Sequence, residues 1–327
     1  MSIERIGTFE GEPVLEARLA SGAGVELAVM SFGASVRDWR VPDRSGATRT
    51  VTLGFDTFDP YPEHSRSFGI VAGRLANRVR EGRFTLGGRT FQLDRNKGPD
   101  HLHGGSRGLG RRVWRLDADG SRARLSITSP DGEMGYPGTV DVTVEIALCG
   151  HTVTFDMTAV TDAPTPIALA QHSYYHLGGA LADHRLTVAA DRVTVTDERN
   201  VPTGTLAEVA GTDLDFRTPR RLGDTRLDDN FCLRGVSPAA VLEGEAMRLV
   251  LETDRPGLQV FTADDFPQFP VRGLGGRIYG PRAGIALEAQ DWPDSVNHEH
   301  FPDVIATPER PYRQRTSVTI SPLEETG

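Results

Sequence analysis

Apolar and polar residues alternate with a period of two along most of this chain. The alternation is written in VELAVM at 25–30, RARLSITS at 122–129, TVDVTVEIAL at 139–148, HTVTFDMTAV at 151–160 and RLTVAADRVTVT at 185–196. It continues through MRLVLET at 247–253, GLQVFTAD at 257–264, GIALEAQDW at 284–292 and RTSVTIS at 315–321. Successive side chains of a strand point to opposite faces, so each run predicts a strand, and intervening stretches such as SPDGEMGYPG at 129–138 predict turns. The best helical stripe is the short SFGIVAGRLANRV at 67–79. A parallel sheet needs crossover helices, which are not written here, so the expectation is an all-β, antiparallel protein.

At 327 residues the chain is long enough for one large core or two ordinary domains. Its composition is even, with no low-complexity linker, charge run or strict short repeat, which predicts one continuous domain over 1–327. The 36 glycines and 21 prolines fit many tight turns and irregular loops, where an all-β protein usually places its site. A formal charge of −9 with scattered arginines argues against a nucleic-acid or acidic-membrane partner. Cys149 and Cys232 sit in apolar stretches without metal-type spacing and are read as buried free thiols of a reducing compartment. The N-terminus has charges where a signal peptide needs an apolar run, and no stretch approaches the ~18 apolar residues of a membrane span. A soluble, cytoplasmic protein is expected.

Several polar segments carry candidate chemistry. In AGRLANRVREGRFTLGGRTFQL at 72–93, Asn77 and Arg78 lie between apolar Leu75 and Val79 and offer an amide and a guanidinium together. Both suit hydroxyl groups, although a surface Arg beside a turn-capping Asn explains the pair equally simply. In NKGPDHLHGGSRGLGRRVW at 96–114, His101 and His103 share a strand face and could begin a metal site. Arg107 and Gly108 stand where a further carboxylate ligand is wanted, so a hydrogen-bonding His103 beside a Gly-rich turn is the better reading, and no metal is expected.

GGSRG at 104–108 formally matches a nucleophile elbow, but Gly108-Leu109-Gly110 is a poor helix start and Ser106 is discounted. GLGGRIYG at 273–280 lacks the Lys-Ser/Thr of a phosphate loop, so no nucleotide cofactor is expected. QHSYYHLGG at 171–179 mixes His172, Ser173 and His176 with Tyr174 and Tyr175. Sugars are bound by such mixtures, aromatic faces covering C–H groups while polar groups take hydroxyls. A core histidine satisfied by a backbone carbonyl is the bland alternative, and chemistry alone does not choose between His172 and His176. Glu288 in GIALEAQDW shares a face with small Ala286 and with Gln290. A strand glutamate between apolar neighbours is either at a solvated edge or held for function. Asp228 and Asp229 precede an apolar run, and Gln259 lies on a strand; alone these are unremarkable.

Taken together, GRLANR, HLHGG, HSYYHL, DDNF, LQVFT and LEAQDWPDSVN, in this order from about residue 32 to 321, resemble the aldose 1-epimerase (galactose mutarotase) family. The resemblance implies a large antiparallel β-sandwich of the galactose mutarotase type with few short helices, an open sugar cleft and a monosaccharide substrate. It implies Glu288 as the base that takes the anomeric hydroxyl proton and His172 as the acid that protonates the ring oxygen. It further implies His103 near the reacting end, and Asn77, Arg78, Asp228 and Gln259 on hydroxyls. Such chemistry needs an ionised carboxylate and a protonated imidazole together, which predicts a bell-shaped pH optimum around neutrality. Gln171, His176, Asp229 and the Ala263-Asp264-Asp265-Phe266 run depart from the family pattern and bear on sugar preference. The expected protein is a monomer or homodimer. A hexose-6-phosphate 1-epimerase, for which Arg107, Arg111 and Arg112 are spare cations, and a non-catalytic sugar-binding β-sandwich are the competing readings.

Overall fold

The computed structural model describes residues 3–323. Three antiparallel sheets build most of the molecule. The first is a five-stranded meander, Ile3–Phe9, Glu12–Ala20, Glu26–Met30, Ser35–Pro42 and Thr48–Thr50, paired in chain order. The second has nine strands, and in it Tyr312–Pro322 lies between Thr152–Thr161 and Met247–Thr253, so a late strand joins two parts of the chain that are far apart in sequence. The third has six strands in the order Tyr174–Tyr175, Ile285–Gln290, Gly257–Phe261, Asp228–Leu233, Ala190–Thr196 and Pro202–Glu208. Helix is confined to Tyr61–His64 and a few single 3₁₀ turns. No helix among the described residues is long and apolar enough to cross a membrane.

Alternation does what it predicts at most strands. Val140–Cys149 buries Val140, Val142, Val144, Ile146 and Leu148 on one face, and its hairpin partner Thr152–Thr161 buries Val153, Phe155, Met157 and Ala159. These side chains join Trp39, Leu251, Val260 and Leu287, from all three sheets, in one apolar cluster. The same parity corrects one expectation: Cys149 ends its strand on the outward face and is exposed, whereas Cys232 is buried. The six-stranded sheet is apolar on one face, where Phe231, Leu258, Val260, Ile285 and Leu287 meet the core. Its other face carries the polar side chains from which the site is built.

The helical stripe at 67–79 does not form a helix. The segment holds two short strands, Val71–Ala72 and Arg78–Val79, joined by extended chain. Its apolar residues Val71, Leu75, Ala76 and Val79 are all buried, so they fill the interior from several sides rather than one. Its backbone bonds run to distant segments: Ala76 N–H to Ala168 O, Ala168 N–H to Arg74 O and Leu109 N–H to Gly73 O. Asn77, at φ 60, takes a left-handed conformation that Asn tolerates better than most residues and that ends any helix.

Arg74 anchors this segment from within. Its guanidinium is 2% exposed and has no carboxylate within ion-pair distance among the described residues. It donates instead to Ser129 Oγ and to the carbonyls of Ser129, Pro130, Pro137 and Gly138, all at 2.8–3.0 Å. Pro130 O also accepts from Glu133 N–H, but the Arg74 bonds to the other carbonyls are lost if the side chain is removed, and a buried unsatisfied polar group is expensive. Arg74→Ala is therefore expected to lower unfolding stability by at least about 3 kcal/mol, read as a fall in the urea midpoint without a change in slope. A loss below about 0.5 kcal/mol, the range of ordinary surface changes, would show that the segment is held some other way.

Candidate active site

Register brings the polar face together. Ile285–Gln290 pairs with Gly257–Phe261 so that Glu288 faces Gln259, and Gly257–Phe261 pairs with Asp228–Leu233 so that Asp228 faces Phe261. Directly opposed residues of an antiparallel pair share a face. Glu288, Gln259, Phe261 and Asp228 thus lie on one surface with Tyr174, which pairs with Ala286 on the other side of the glutamate strand. Above them stand two loops. One places Asn77 and Arg78; the other places His103, through the two-residue pairing of His101–Leu102 with Arg78–Val79.

The loops are locked by reciprocal bonds. His103 N–H donates to Asn77 O at 3.0 Å, and Asn77 N–H donates to His103 Nδ1 at 3.1 Å. Gly104 follows at φ 87, where a Cβ would sit 1.6 Å from Gly73 O; only glycine lets the His103 loop lie this close to the Asn77 loop. Since Nδ1 accepts, the neutral ring carries its hydrogen on Nε2 and is a donor there.

A cavity of about 150 Å³ is lined by Asn77, Arg78, His103, His172, Asp228, Gln259 and Glu288. All seven residues expected from the sequence meet there. His172 Nε2 lies 3.4 Å from Glu288 Oε2, with side-chain exposures of 4% and 2%. His172 stacks on Tyr174 at 5.0 Å between ring centroids, and His103 meets it edge-on at 5.2 Å. Glu288 Oε2 and His172 Nδ1 have no hydrogen-bond partner, as buried groups aimed at an absent ligand would. Gln259 Nε2 donates to Asp228 Oδ1 at 2.7 Å, Asn200 Nδ2 to Asp228 Oδ2 at 2.7 Å, and Arg78 lies 3.7 Å from the same carboxylate.

Burial dominates the protonation of the pair. It pushes Glu288 well above the usual carboxylate range, assisted by the Asp228 charge and opposed by Arg78. It lowers His172 to about 4 and holds His103 well below the ordinary histidine value, with the His172 and Arg78 charges adding to the effect on His103. Both members of the pair are therefore driven towards neutral forms, sharing a single proton that burial places on Glu288.

His103, His172 and Glu288 offer ligand atoms that all lie within 4.8 Å of one another, the composition of a two-histidine, one-carboxylate metal site. The Asn77 amide decides against that use. It occupies the one lone pair of the neutral His103 ring, so the trio presents a donor, an imidazole and a carboxyl rather than three ligands.

Sequence reasoning missed part of the lining, Arg66, Ser67, Lys97 and Phe261, whereas Asp265 and Phe266 belong to the departing run it had placed near the cleft. Tyr174, Phe261 and Phe266 form an aromatic wall, with centroids 5.1–6.2 Å apart. Phe261 could have been found by counting two residues on from Gln259. Arg66 and Ser67, at φ 45 and 70, owe their place to a backbone turn with no sequence signature. His101 turns away from the site, bonding Asp94 O and the Tyr136 hydroxyl, and Ser106 is exposed with its amide on Asp94. A second cavity of about 650 Å³ opens outward and shares Arg78, Lys97, Asp228, Phe261 and Asp265 with the first.

An antiparallel sandwich with a buried histidine–glutamate contact at the floor of an aromatic and polar cleft suits a sugar-converting enzyme. A sequence model described as aldose 1-epimerase matches residues 16–319. Galactose mutarotase of Bos taurus is 36% identical over 308 residues, covering 89% of this chain and 90% of its own. The crystal structure of an aldose epimerase homologue from C. elegans superposes with a TM-score of 0.89 at 27% identity, over 94% of this chain and 99% of that one. That of galactose 1-epimerase from Lactobacillus acidophilus does so with a TM-score of 0.88 at 27% identity, over 99% of both. The chain belongs to the aldose 1-epimerase family, and it is an isomerase whose substrate is a monosaccharide.

The tautomer of His103 is open to direct measurement. Long-range ¹H–¹⁵N correlation spectra should show a neutral ring with its hydrogen on Nε2 throughout pH 5–8, because its pKa is held below the usual ~6.5. A ring that protonates near 6.5, or carries its hydrogen on Nδ1, would contradict the Asn77 bond.

Proposed function

We propose that this enzyme interconverts the α and β anomers of a free aldose such as galactose or glucose, with Glu288 as general base and His172 as general acid. The observation that carries the reading is the buried His172–Glu288 contact at 3.4 Å, facing a cavity rimmed by hydroxyl-binding groups. Glu288 takes the proton of the C1 hydroxyl while His172 gives one to the ring oxygen. The C1–ring oxygen bond breaks, its electron pair staying on the oxygen, and C1 becomes the aldehyde carbon. Rotation about C1–C2 presents either face of the carbonyl, and the reverse transfers close the ring. The Nε2–H of His103 is placed as a donor to an oxygen at the reacting end. Asn77, Arg78, Asp228 and Gln259 hold the remaining hydroxyls, and the Tyr174–Phe261–Phe266 wall covers the C–H face.

The outer groups fit this reading better than its rivals. Arg107 bonds Glu10, Arg111 the carbonyl of Pro62, and Arg112 Glu133, so none of these three spare arginines lines the cavity. A binding module without catalysis has no use for two ionisable groups buried in contact, since their desolvation costs several kcal/mol. One domain, a cytoplasmic location and a monomeric or dimeric state belong to the same reading.

Positioned acid–base groups each contribute about 10²–10⁴ in rate. Glu288→Gln and His172→Asn should each lower kcat by at least about two orders of magnitude while leaving the thermal midpoint near that of the native chain. Polarimetry of freshly dissolved α-D-galactose measures it, and undiminished mutarotation by Glu288→Gln would sink the assignment.

The buried pair also reshapes the expected pH profile. The competent pair carries one proton. It gains a second, losing its base, as pH falls through the lowered His172 value of about 4. It loses its only proton, and with it the acid, at a pH well above the carboxylate range, where Glu288 finally ionises. Plotted as kcat/KM, the profile should be a broad plateau across neutrality with its acid limb near about 4. An acid limb at the ordinary histidine value would mean that His172 is not desolvated in the free enzyme.

A further inference from the structure

The His-Ser-Tyr-Tyr-His segment serves two cavities. His172 and Tyr174 line the sugar cleft, whereas His176 lines a separate cavity of about 560 Å³ that shares no lining residue with that cleft. Around it stand Arg40, Arg49, Arg277 and His176, against a single lining carboxylate, Glu245. For a chain of formal charge −9 this is a locally cationic hollow.

The cations are not used up by the protein. Arg40 and Arg49 are engaged through Nε by Asp38 and Asp43, both at 2.6 Å, and form no further hydrogen bond through their Nη groups. Arg277, half-buried, has no carboxylate within 4 Å among the described residues and lies 5.9 Å from the Tyr279 ring centre. His176 Nδ1 accepts from Gly178 N–H at 3.3 Å, so the neutral ring offers its Nε2–H as a donor. Burial, with the Arg277 charge second, keeps that ring neutral by lowering it to about 4. Glu245 has no Lys, Arg or His within 4 Å among the described residues and lies beside Gly179.

We propose that this hollow is a second small-molecule site, taking a phosphorylated sugar, with the phosphate on Arg277, Arg40 and Arg49 and a sugar hydroxyl on Glu245. Planar guanidinium forks suit phosphate oxygens, and several forks facing one hollow suit a dianion better than a single carboxylate. A pocket of about 300–1,000 Å³ is the usual size for a small ligand, and the observed volume falls within it. One unpaired carboxylate repels a bare anion but accepts hydroxyl hydrogens, so it selects an anion that carries a polyol. No buried His–carboxylate contact exists in this cavity, so the site binds rather than converts.

Isothermal titration of the full chain with inorganic phosphate and with glucose 6-phosphate, at low salt, tests the proposal. Each should bind at one saturable site, glucose 6-phosphate the tighter, and saturating galactose should leave both isotherms unchanged. Arg277→Glu should weaken both at least about tenfold, and Arg277→Gln to a lesser degree, while mutarotation and thermal midpoint stay native. Glu245→Gln should weaken glucose 6-phosphate and not inorganic phosphate. No saturable binding up to about 10 mM, competition by galactose, or an isotherm indifferent to Arg277→Glu overturns the site. Glucose 6-phosphate binding no tighter than phosphate overturns the sugar contact. None of these readouts depends on the roles of His172 and Glu288.

Discussion

A carboxyl group and an imidazole buried in contact, with almost no other hydrogen bonds to satisfy them, are the constraint around which this structure is arranged. Isolated charges in such a place are prohibitive, and an ion pair there recovers its desolvation only with good geometry and further bonds. The free enzyme avoids the problem by leaving one proton on the pair and keeping both groups neutral. Ring opening needs the opposite microstate, a carboxylate beside an imidazolium. The two differ only by movement of one proton, so no exchange with solvent is required to pass between them. Arg78, which favours the charged form of Glu288, tilts the balance towards the reactive state, while Asp228 tilts it back. Hydroxyls of a bound sugar can supply the partner that the protein does not give Glu288 Oε2.

Holding two such groups in place demands a rigid surround, and the chain provides it through register. Glu288 sits in the middle of a strand paired on both sides, opposite Gln259, which is itself tied to Asp228. A slip of one residue would turn Glu288 into the apolar core and Leu287 into the cleft. The loops overhead have only a two-residue ladder, His101–Leu102 on Arg78–Val79, to fix them. Their order comes from buried donors instead: Arg74 gathers four carbonyls under the Asn77 loop, and the Asn77–His103 bonds clamp one loop to the other. Buried polar groups are tolerated here because each loop-anchoring donor has acceptors waiting.

Strands with one wet face were the most legible part of the sequence, because alternation is a direct imprint of burial on one side. Arg122–Ser129 and Met247–Thr253 begin and end where their patterns do. Segments buried from several sides hide their structure, since every position can be apolar. That is why 67–79 reads as a helical stripe and folds as loops and two short strands. It is also why Ile285–Gln290, buried at all six positions, suggests a solvated edge for Glu288 that it does not have. The residues proposed to be catalytic were visible only as an ordered set of strings, because a lone buried histidine is ordinarily a core residue. Backbone-determined members, Arg66 and Ser67 with their positive φ, left no trace of side-chain chemistry to read.

The departures from the family pattern divide once each is placed. Gln171, next to His172, spends its amide on Ser173 Oγ and Gly69 O and does not line the cavity. His176 lines the other hollow, and Asp229 is half-buried on the outward cavity, with desolvation raising its pKa and its carboxylate accepting from Asp228 N–H. Asp264 is held by Thr262 and Arg282. Asp265 alone lines the catalytic cavity, is exposed and forms no hydrogen bond or ion pair within the described chain. Of the changes that could alter sugar preference, it is thus the one with a free functional group in reach of a substrate. A carboxylate accepts hydrogen bonds and cannot donate, so at this point of the rim the side chain can pair with a hydroxyl hydrogen and not with a bare acceptor.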